Sequence, residues 1–215
     1  MDLSEGIFKD IKDKKKTSLI LSGGKSPLKH YRKLFKKKIN WSNVNFFLLD
    51  ERLVKIKSKL SNFYNINKII LSKNLNVNLE PLNRKFLKKK KLNKTLLLLK
   101  KSNVISILGM GEDGHYASIF SHSKLFKKLI NTNSPPRILI TERIGNPKVK
   151  RATMNLSMIL LSKKIYLILN SKKKLKLFYN AVKEKDHHKY SIYSLIEKTK
   201  KKLIIFDEKK FKSIN

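Results

Sequence analysis

The groups of proton-transfer chemistry stand together in one short stretch, Gly109-Met110-Gly111-Glu112-Asp113-Gly114-His115, where a carboxylate and an imidazole share a glycine-punctuated loop. A second stretch, Asp50-Glu51-Arg52, sets two more carboxylates beside an arginine, whose planar and permanently charged fork suits anion recognition. Four of the chain's 15 acidic residues, Asp50, Glu51, Glu112 and Asp113, fall just past expected strand ends, a placement that surface solvation does not explain. A third stretch, Ser22-Gly23-Gly24-Lys25-Ser26-Pro27, offers glycines for close backbone approach, Ser26 as a helix cap and Pro27 at the first helical position. Backbone N–H groups at such a helix start bind anions, phosphate above all.

Plainer readings compete at each place. Residues 109–114 spell G-x-G-x-x-G, but a dinucleotide fingerprint wants an acid about 20 positions on, and after Asp113 the next is Glu142. It also belongs in the first βα unit rather than halfway along the chain. On this loop alone, Asp113 as a simple helix cap and His115 as an ordinary first-turn residue stand level with a site. The letters GKS at 24–26 fail as a P-loop because the required glycine would be residue 19, which is leucine. A plain turn between strand and helix remains an alternative there.

Elements must hold these residues in place. Val104, Ile105, Ile107 and Leu108 read as a strand running into the central loop, with a helix opening at His115; in open α/β sheets the crevice beyond such strand ends is where ligands bind. Ser4 to Lys16 has the spacing of an amphipathic helix with Ile7, Phe8 and Ile11 on one side, and Thr17 to Leu21 that of a brief strand. A helix ending over His30 to Lys37 turns Tyr31, Leu34 and Phe35 inward, and Val44 to Leu49 reads as a buried strand. Ser61-Asn62 opens a helix through Leu71, and Leu87 to Lys101 another whose leucines face the sheet. Arg137 to Thr141 and Lys164 to Leu169 are further strands, while Arg151-Ala152-Thr153 precedes an apolar stretch from Met154 to Leu161. His187-His188 is a surface pair, and Ser191 to Ile196 and Leu203 to Phe206 close the fold. No repeat or linker divides the chain.

The 215 residues, 40% hydrophobic, suit one domain over 1–215. Without cysteine there is neither disulfide nor thiolate metal site. No apolar run reaches the roughly 20 residues of a membrane span, since Met154 to Leu169 is broken by Lys163-Lys164, and the acidic N-terminus is no signal peptide. A soluble, cytoplasmic protein without a membrane partner is expected. The formal charge of +36 would draw polyanions, yet 45 of the 51 basic residues are lysine, beside 19 asparagines and only three alanines. An AT-rich genome writes such a surface, whereas a nucleic-acid reader favours arginine with interleaved aromatics. No specific nucleic-acid partner is therefore expected.

Taken in order, SGGKSP (22–27), NWSNVNFFLLDER (40–52), SNF (61–63), LGMGEDGHYASIF (108–120), RAT (151–153) and a lysine after the strand at 165–169 resemble the 6-phosphogluconolactonases, relatives of the glucosamine-6-phosphate deaminases. The resemblance implies an α/β fold: a doubly wound, mostly parallel, Rossmann-like sheet with helices on both faces. It implies a carboxylic ester hydrolase of the oxidative pentose phosphate pathway that opens 6-phosphoglucono-δ-lactone to 6-phosphogluconate, with no metal or organic cofactor and with the sugar-phosphate lactone as partner. A monomer is expected. By the same resemblance His115 matches the general base that activates water, Asp113 orients its ring, and Arg52 steadies developing negative charge. Gly23, Gly24 and Ser26 match the phosphate cradle, Arg151 and Lys174 its charged partners, and Asp50 joins the substrate-binding set. Deaminases of this fold carry a glutamate where this chain has Phe120, and an aromatic where it has Arg52. Tyr116 in place of a small threonine, and no glycine near Ser171, depart from the lactonase pattern. A non-catalytic sugar-phosphate sensor is the other alternative, but the roughly 20 residues before the first strand leave no room for its helix-turn-helix.

Overall fold

A strand covered on both faces reads as an unbroken apolar run, and the chain offers such runs at intervals. The structure, a computed structural model, describes residues 2–75, 77, 79–83, 88–207 and 210–213. Its strands are β1 (Thr17–Leu21), β2 (Val44–Leu48), β3 (Asp50–Arg52), β4 (Asn103–Gly109), β5 (Ile138–Ile140), β6 (Arg151–Met154), β7 (Lys164–Ile168), β8 (Leu203–Asp207) and β9 (Lys210–Ser213). Its α-helices are α1 (Leu3–Ile11), α2 (Lys25–Leu34), α3 (Asn62–Leu71), α4 (Lys89–Lys100), α5 (Phe126–Ile130), α6 (Leu156–Ile159), α7 (Lys172–Glu184) and α8 (Ile192–Thr199). The start expected at Leu87 for the helix that became α4 lies outside the described residues.

The larger sheet runs β2-β1-β4-β7-β8-β9, parallel except for β9 against β8. This is the mostly parallel α/β architecture that was expected. Strand order reverses between β1 and β4, because the chain steps outward from β1 to β2 and then crosses back to the other side of β1. Such a switch point leaves a crevice beyond the carboxyl ends of the two strands, since their connections depart in opposite directions. The first residue past β1 stays against β4, Ser22 N donating to Ile107 O at 3.1 Å. Among the described residues no helix is long and apolar enough to cross a membrane.

A second sheet, β3-β6-β5, is antiparallel and was not expected. Asp50-Glu51-Arg52 is a strand of this sheet rather than a loop beyond β2. Leu49 is the residue at which the chain changes sheets: its N–H donates to Leu21 O (2.9 Å) and its carbonyl accepts from Met154 N (3.0 Å). Arg151–Met154 likewise pairs on both sides, with β3 and with β5.

Two further expectations fail for local reasons. No helix opens at His115. Gly114 (φ 83°) and Ala117 (φ 51°) both take left-handed backbone, which interrupts a right-handed helix, and Tyr116 forms isolated bridges to Met110 and Ile119. The Tyr116 ring is fully buried and its hydroxyl pairs with Ser194 Oγ at 2.8 Å, so the side chain in the small residue's place serves as an anchor. Ser26 does not cap α2. Gly24 holds the cap position without a side-chain bond, and Ser26 lies inside the first turn.

Glu51 also proves to be architectural. It is buried, and its carboxylate accepts from Arg52 N, Asn62 N and Phe63 N, each at 2.7 Å, and from Ser61 Oγ at 3.0 Å. Ser61 in turn caps Tyr64 N at 3.1 Å. The carboxylate thus ties β3 to the start of α3, where unpaired N–H groups and the helix dipole favour negative charge. Burial pushes this carboxyl up, and the four donors oppose that push. Glu51→Gln would turn an amide N–H₂ toward donors that need acceptors. We expect it to cost about 2–4 kcal/mol, read as a lower urea midpoint with an unchanged slope. An unaltered midpoint would remove Glu51 from the architecture.

Candidate active site

The crevice at the switch point is a cleft of about 190 Å³. Of the residues singled out in the sequence, Gly24, Ser26, Asp50, Arg52, His115, Arg151 and Lys174 line it. Two do not. Asp113 stands behind His115, and Gly23 faces Asn62, where a Cβ would lie 2.3 Å from the asparagine side chain. Gly23 therefore permits close packing and is not part of the cleft wall. A roomier cavity of about 280 Å³ lies along β2, where Phe46, Phe47, Leu82 and Met154 make it mainly apolar.

The β4 turn supplies the titratable pair. Asp113 Oδ1 sits 2.5 Å from His115 Nδ1 and also accepts from His115 N at 3.2 Å. Burial pushes the Asp113 carboxyl up, but hydrogen bonding from His115 outweighs this and holds it at about 2. An ionised acceptor at Nδ1 assigns the ring proton to that nitrogen, which leaves the Nε2 lone pair available. Nε2 has no partner among the described residues. Gly111 makes room for this geometry, because a Cβ there would lie 2.2 Å from the ring's Cε1 and Nδ1.

The second sheet supplies the cations. Arg52 and Arg151 are register partners across β3 and β6, so their side chains leave the same face. Arg52 Nη1 donates to Leu60 O (3.0 Å) and to Asn62 Oδ1 (3.4 Å), while its Nε is buried with no partner among the described residues. Arg151 is 3% exposed; its Nε donates to Ile144 O and its Nη2 to Pro147 O, each at 3.1 Å. Burial pushes the Arg151 guanidinium down, and the neighbouring Asp50 charge opposes that shift. Asp50 is itself engaged, accepting from Ser118 Oγ at 2.6 Å and from Asn62 Nδ2 at 3.3 Å. Held in this way, it serves as a counter-charge to Arg151.

The β1 turn supplies an anion cradle. Gly24 leaves the first N–H groups of α2 without a side-chain cap, and the first turn holds no acidic residue. Lys174 reaches over from the first turn of α7, its Nζ 3.4 Å from Ser26 Oγ. Burial pushes this ammonium below the usual lysine range, with the Glu112 charge opposing.

Sequence reasoning gave no role to Asn62, although SNF was among the matched segments. Its amide donates to Asp50 O at 2.9 Å and accepts from Arg52, so it links the counter-charge to the cation. Ser118 was overlooked too, because a serine three residues past a histidine carries no spacing signal once the expected helix is absent.

The arrangement brings to one cleft an imidazole, two arginines on one sheet face and a helix start with a lysine, with a carboxylate behind the imidazole. Comparisons with known proteins place the chain in a family. A 6-phosphogluconolactonase of Thermotoga maritima is 32% identical over 170 residues, covering 77% of this chain and 74% of its own length. Another, of Xylella fastidiosa, is 29% identical over 206 residues, 91% of this chain and 84% of its own. The crystal structure of a 6-phosphogluconolactonase from Shewanella baltica superposes with a TM-score of 0.81 at 27% identity, covering 95% of this chain and 91% of the other. With residues 2–205 matched by the model of glucosamine-6-phosphate isomerases/6-phosphogluconolactonase, the chain belongs to that family.

Proposed function

We propose that the chain hydrolyses 6-phospho-D-glucono-1,5-lactone to 6-phospho-D-gluconate, a step of the oxidative pentose phosphate pathway. The observation that carries this reading is the shared cleft, which has His115 and Arg52 at one place and the uncapped start of α2 with Lys174 at another. Its relatives' names point to the same reaction.

In the mechanism we infer, the His115 Nε2 lone pair takes a proton from water as the water oxygen bonds to the lactone carbonyl carbon. Asp113 stabilises the imidazolium that forms and keeps the proton at Nδ1. The carbonyl oxygen becomes an oxyanion, and Arg52, already fixed by Leu60 and Asn62, answers that charge with little reorganisation. Collapse of the tetrahedral intermediate breaks the ring C–O bond, and His115 returns its proton to the departing ring oxygen. The carboxylic acid then loses its proton to solvent. Gly24, Ser26 and Lys174 hold the phosphate meanwhile, with Arg151 strengthening the positive field across the cleft.

In a coupled assay with freshly generated lactone, corrected for spontaneous opening, His115→Ala is expected to lower kcat by about 10²–10⁴-fold while circular dichroism stays unchanged. Wild-type rates in that variant would take the base away from His115. Glucosamine 6-phosphate, offered in parallel, should not turn over.

The Lys174 shift gives a pH prediction. A lysine whose ammonium is held below its ordinary range loses its charge earlier as pH rises, and a bound phosphate restores it. Binding of 6-phosphogluconate should therefore weaken toward alkaline pH in the wild type, and Lys174→Ala should be weaker throughout and lack that alkaline decline. Isothermal titration at a series of pH values decides, and an identical pH profile in the two proteins would count against Lys174 as a phosphate ligand.

A further inference from the structure

We propose that Phe120 is a positioning residue for His115: its buried ring is the flat wall that sets the plane of the imidazole, and Arg151 and Gly145 hold that wall in place. The inference rests on the reading of His115 as the base. The two rings stack with centroids 4.1 Å apart and an interplanar angle of 26°. Phe120 is 1% exposed, so its ring is confined on all sides. The Arg151 guanidinium carbon lies 5.3 Å from the Phe120 centroid, within cation–π range, and that guanidinium is itself tethered to the carbonyls of Ile144 and Pro147. Gly145 closes the remaining side: a Cβ there would stand 2.6 Å from Phe120 Cζ and 2.8 Å from Arg151 Nη2.

Phe120 adds to what Asp113 does. Cβ, Cγ and a hydrogen-bonded Nδ1 together define the imidazole plane, but a hydrogen bond tolerates bending and holds that plane loosely. A stacked neighbour at 4.1 Å narrows the remaining rotation about the bond to Cβ, which would carry Nε2 away from the substrate carbon. The sequence separation fits the task only because the helix expected at His115 is absent. The left-handed turn at Ala117 and the bridge from Tyr116 to Ile119 fold the chain back, so that a residue five positions on lies against the ring. A single cluster then spans both sheets' contributions, from the carbonyls that hold Arg151, through Phe120, to the base.

Two measurements test this. In the wild-type protein labelled at histidine, the His115 ring protons should be displaced upfield by the Phe120 ring current, with nitrogen shifts of the Nδ1–H tautomer. Phe120→Leu keeps an apolar side chain but no aromatic face. It should remove the upfield displacement and lower kcat by about 10- to 100-fold with KM little changed, as misplacement of a reacting group does. A His115 signal without ring-current displacement in the wild type overturns the proposal. So does a folded Phe120→Leu protein with wild-type kcat, or one whose loss lies in KM alone. If Phe120→Leu does not fold, the wild-type spectrum decides by itself. If the wild type opens no lactone, the functional reading falls, while the spectrum still reports whether Phe120 holds the ring.

Discussion

The reversal of strand order between β1 and β4 is the constraint on which the rest of the molecule depends. Parallel strands must be joined by long crossovers, and where two crossovers leave in opposite directions nothing covers the strand ends between them. The β1 turn carries backbone donors there, and the β4 turn carries an imidazole. Neither turn would be a site alone. The bond from Ser22 N to Ile107 O continues β1 along β4, and Pro27 Cδ lies 3.8 Å from where a Cβ on Gly109 would be. These contacts keep the start of α2 close to the end of β4.

The antiparallel sheet adds what the switch point lacks. A parallel sheet aims its strand ends at the crevice but leaves one side open. The chain closes that side by running on from β2 through Leu49 directly into β3, without a loop. The result is a rigid platform for Arg52 and Arg151, built on ladder hydrogen bonds instead of a mobile loop. Glu51 secures the platform to α3 from within, while its neighbours Asp50 and Arg52 face the cleft. Alternation along a strand divides the labour of Asp50-Glu51-Arg52, two residues toward the ligand and one toward the fold.

This division marks how far the sequence could be read. The parallel strands were legible because buried parallel strands write themselves as apolar runs, and α3 because Ser61 is an ordinary cap. Residue type and position singled out His115 and Arg52, which line one cleft, and Asp113, which stands behind the imidazole. Asp50-Glu51-Arg52 could not be seen as a strand, since three charged residues carry no apolar alternation and their partner β6 lies about a hundred positions away. The helix expected at His115 failed because Gly114 signals a turn but Ala117 does not: alanine favours helix, yet beside the buried Tyr116 it takes left-handed backbone. The place of Phe120 beside His115 followed from that same turn and was hidden with it. Gly23 matched a phosphate cradle by its motif, but its missing side chain serves Asn62.

The choice of cation in the cleft follows from burial. Only six of the 51 basic residues are arginine, yet two of those six are cross-strand neighbours at the site. Burial works against the charged form of any cation, and a lysine answers by releasing its proton. Lys174, half-buried at the cleft, already shows its ammonium pushed down. A lysine at the depth of Arg151 would face more of the same pressure with another cation next to it. A guanidinium starts far enough above neutrality to keep its charge there, and its several N–H groups can satisfy two backbone carbonyls and still present positive charge to a ligand. Two such groups side by side repel, and at Arg151 the Asp50 charge outweighs that repulsion. The charge of +36 spread over the surface acts differently, because salt screens exposed charges beyond about 8–10 Å. It can draw an anion toward the protein, but discrimination belongs to the few cations whose positions the two sheets fix.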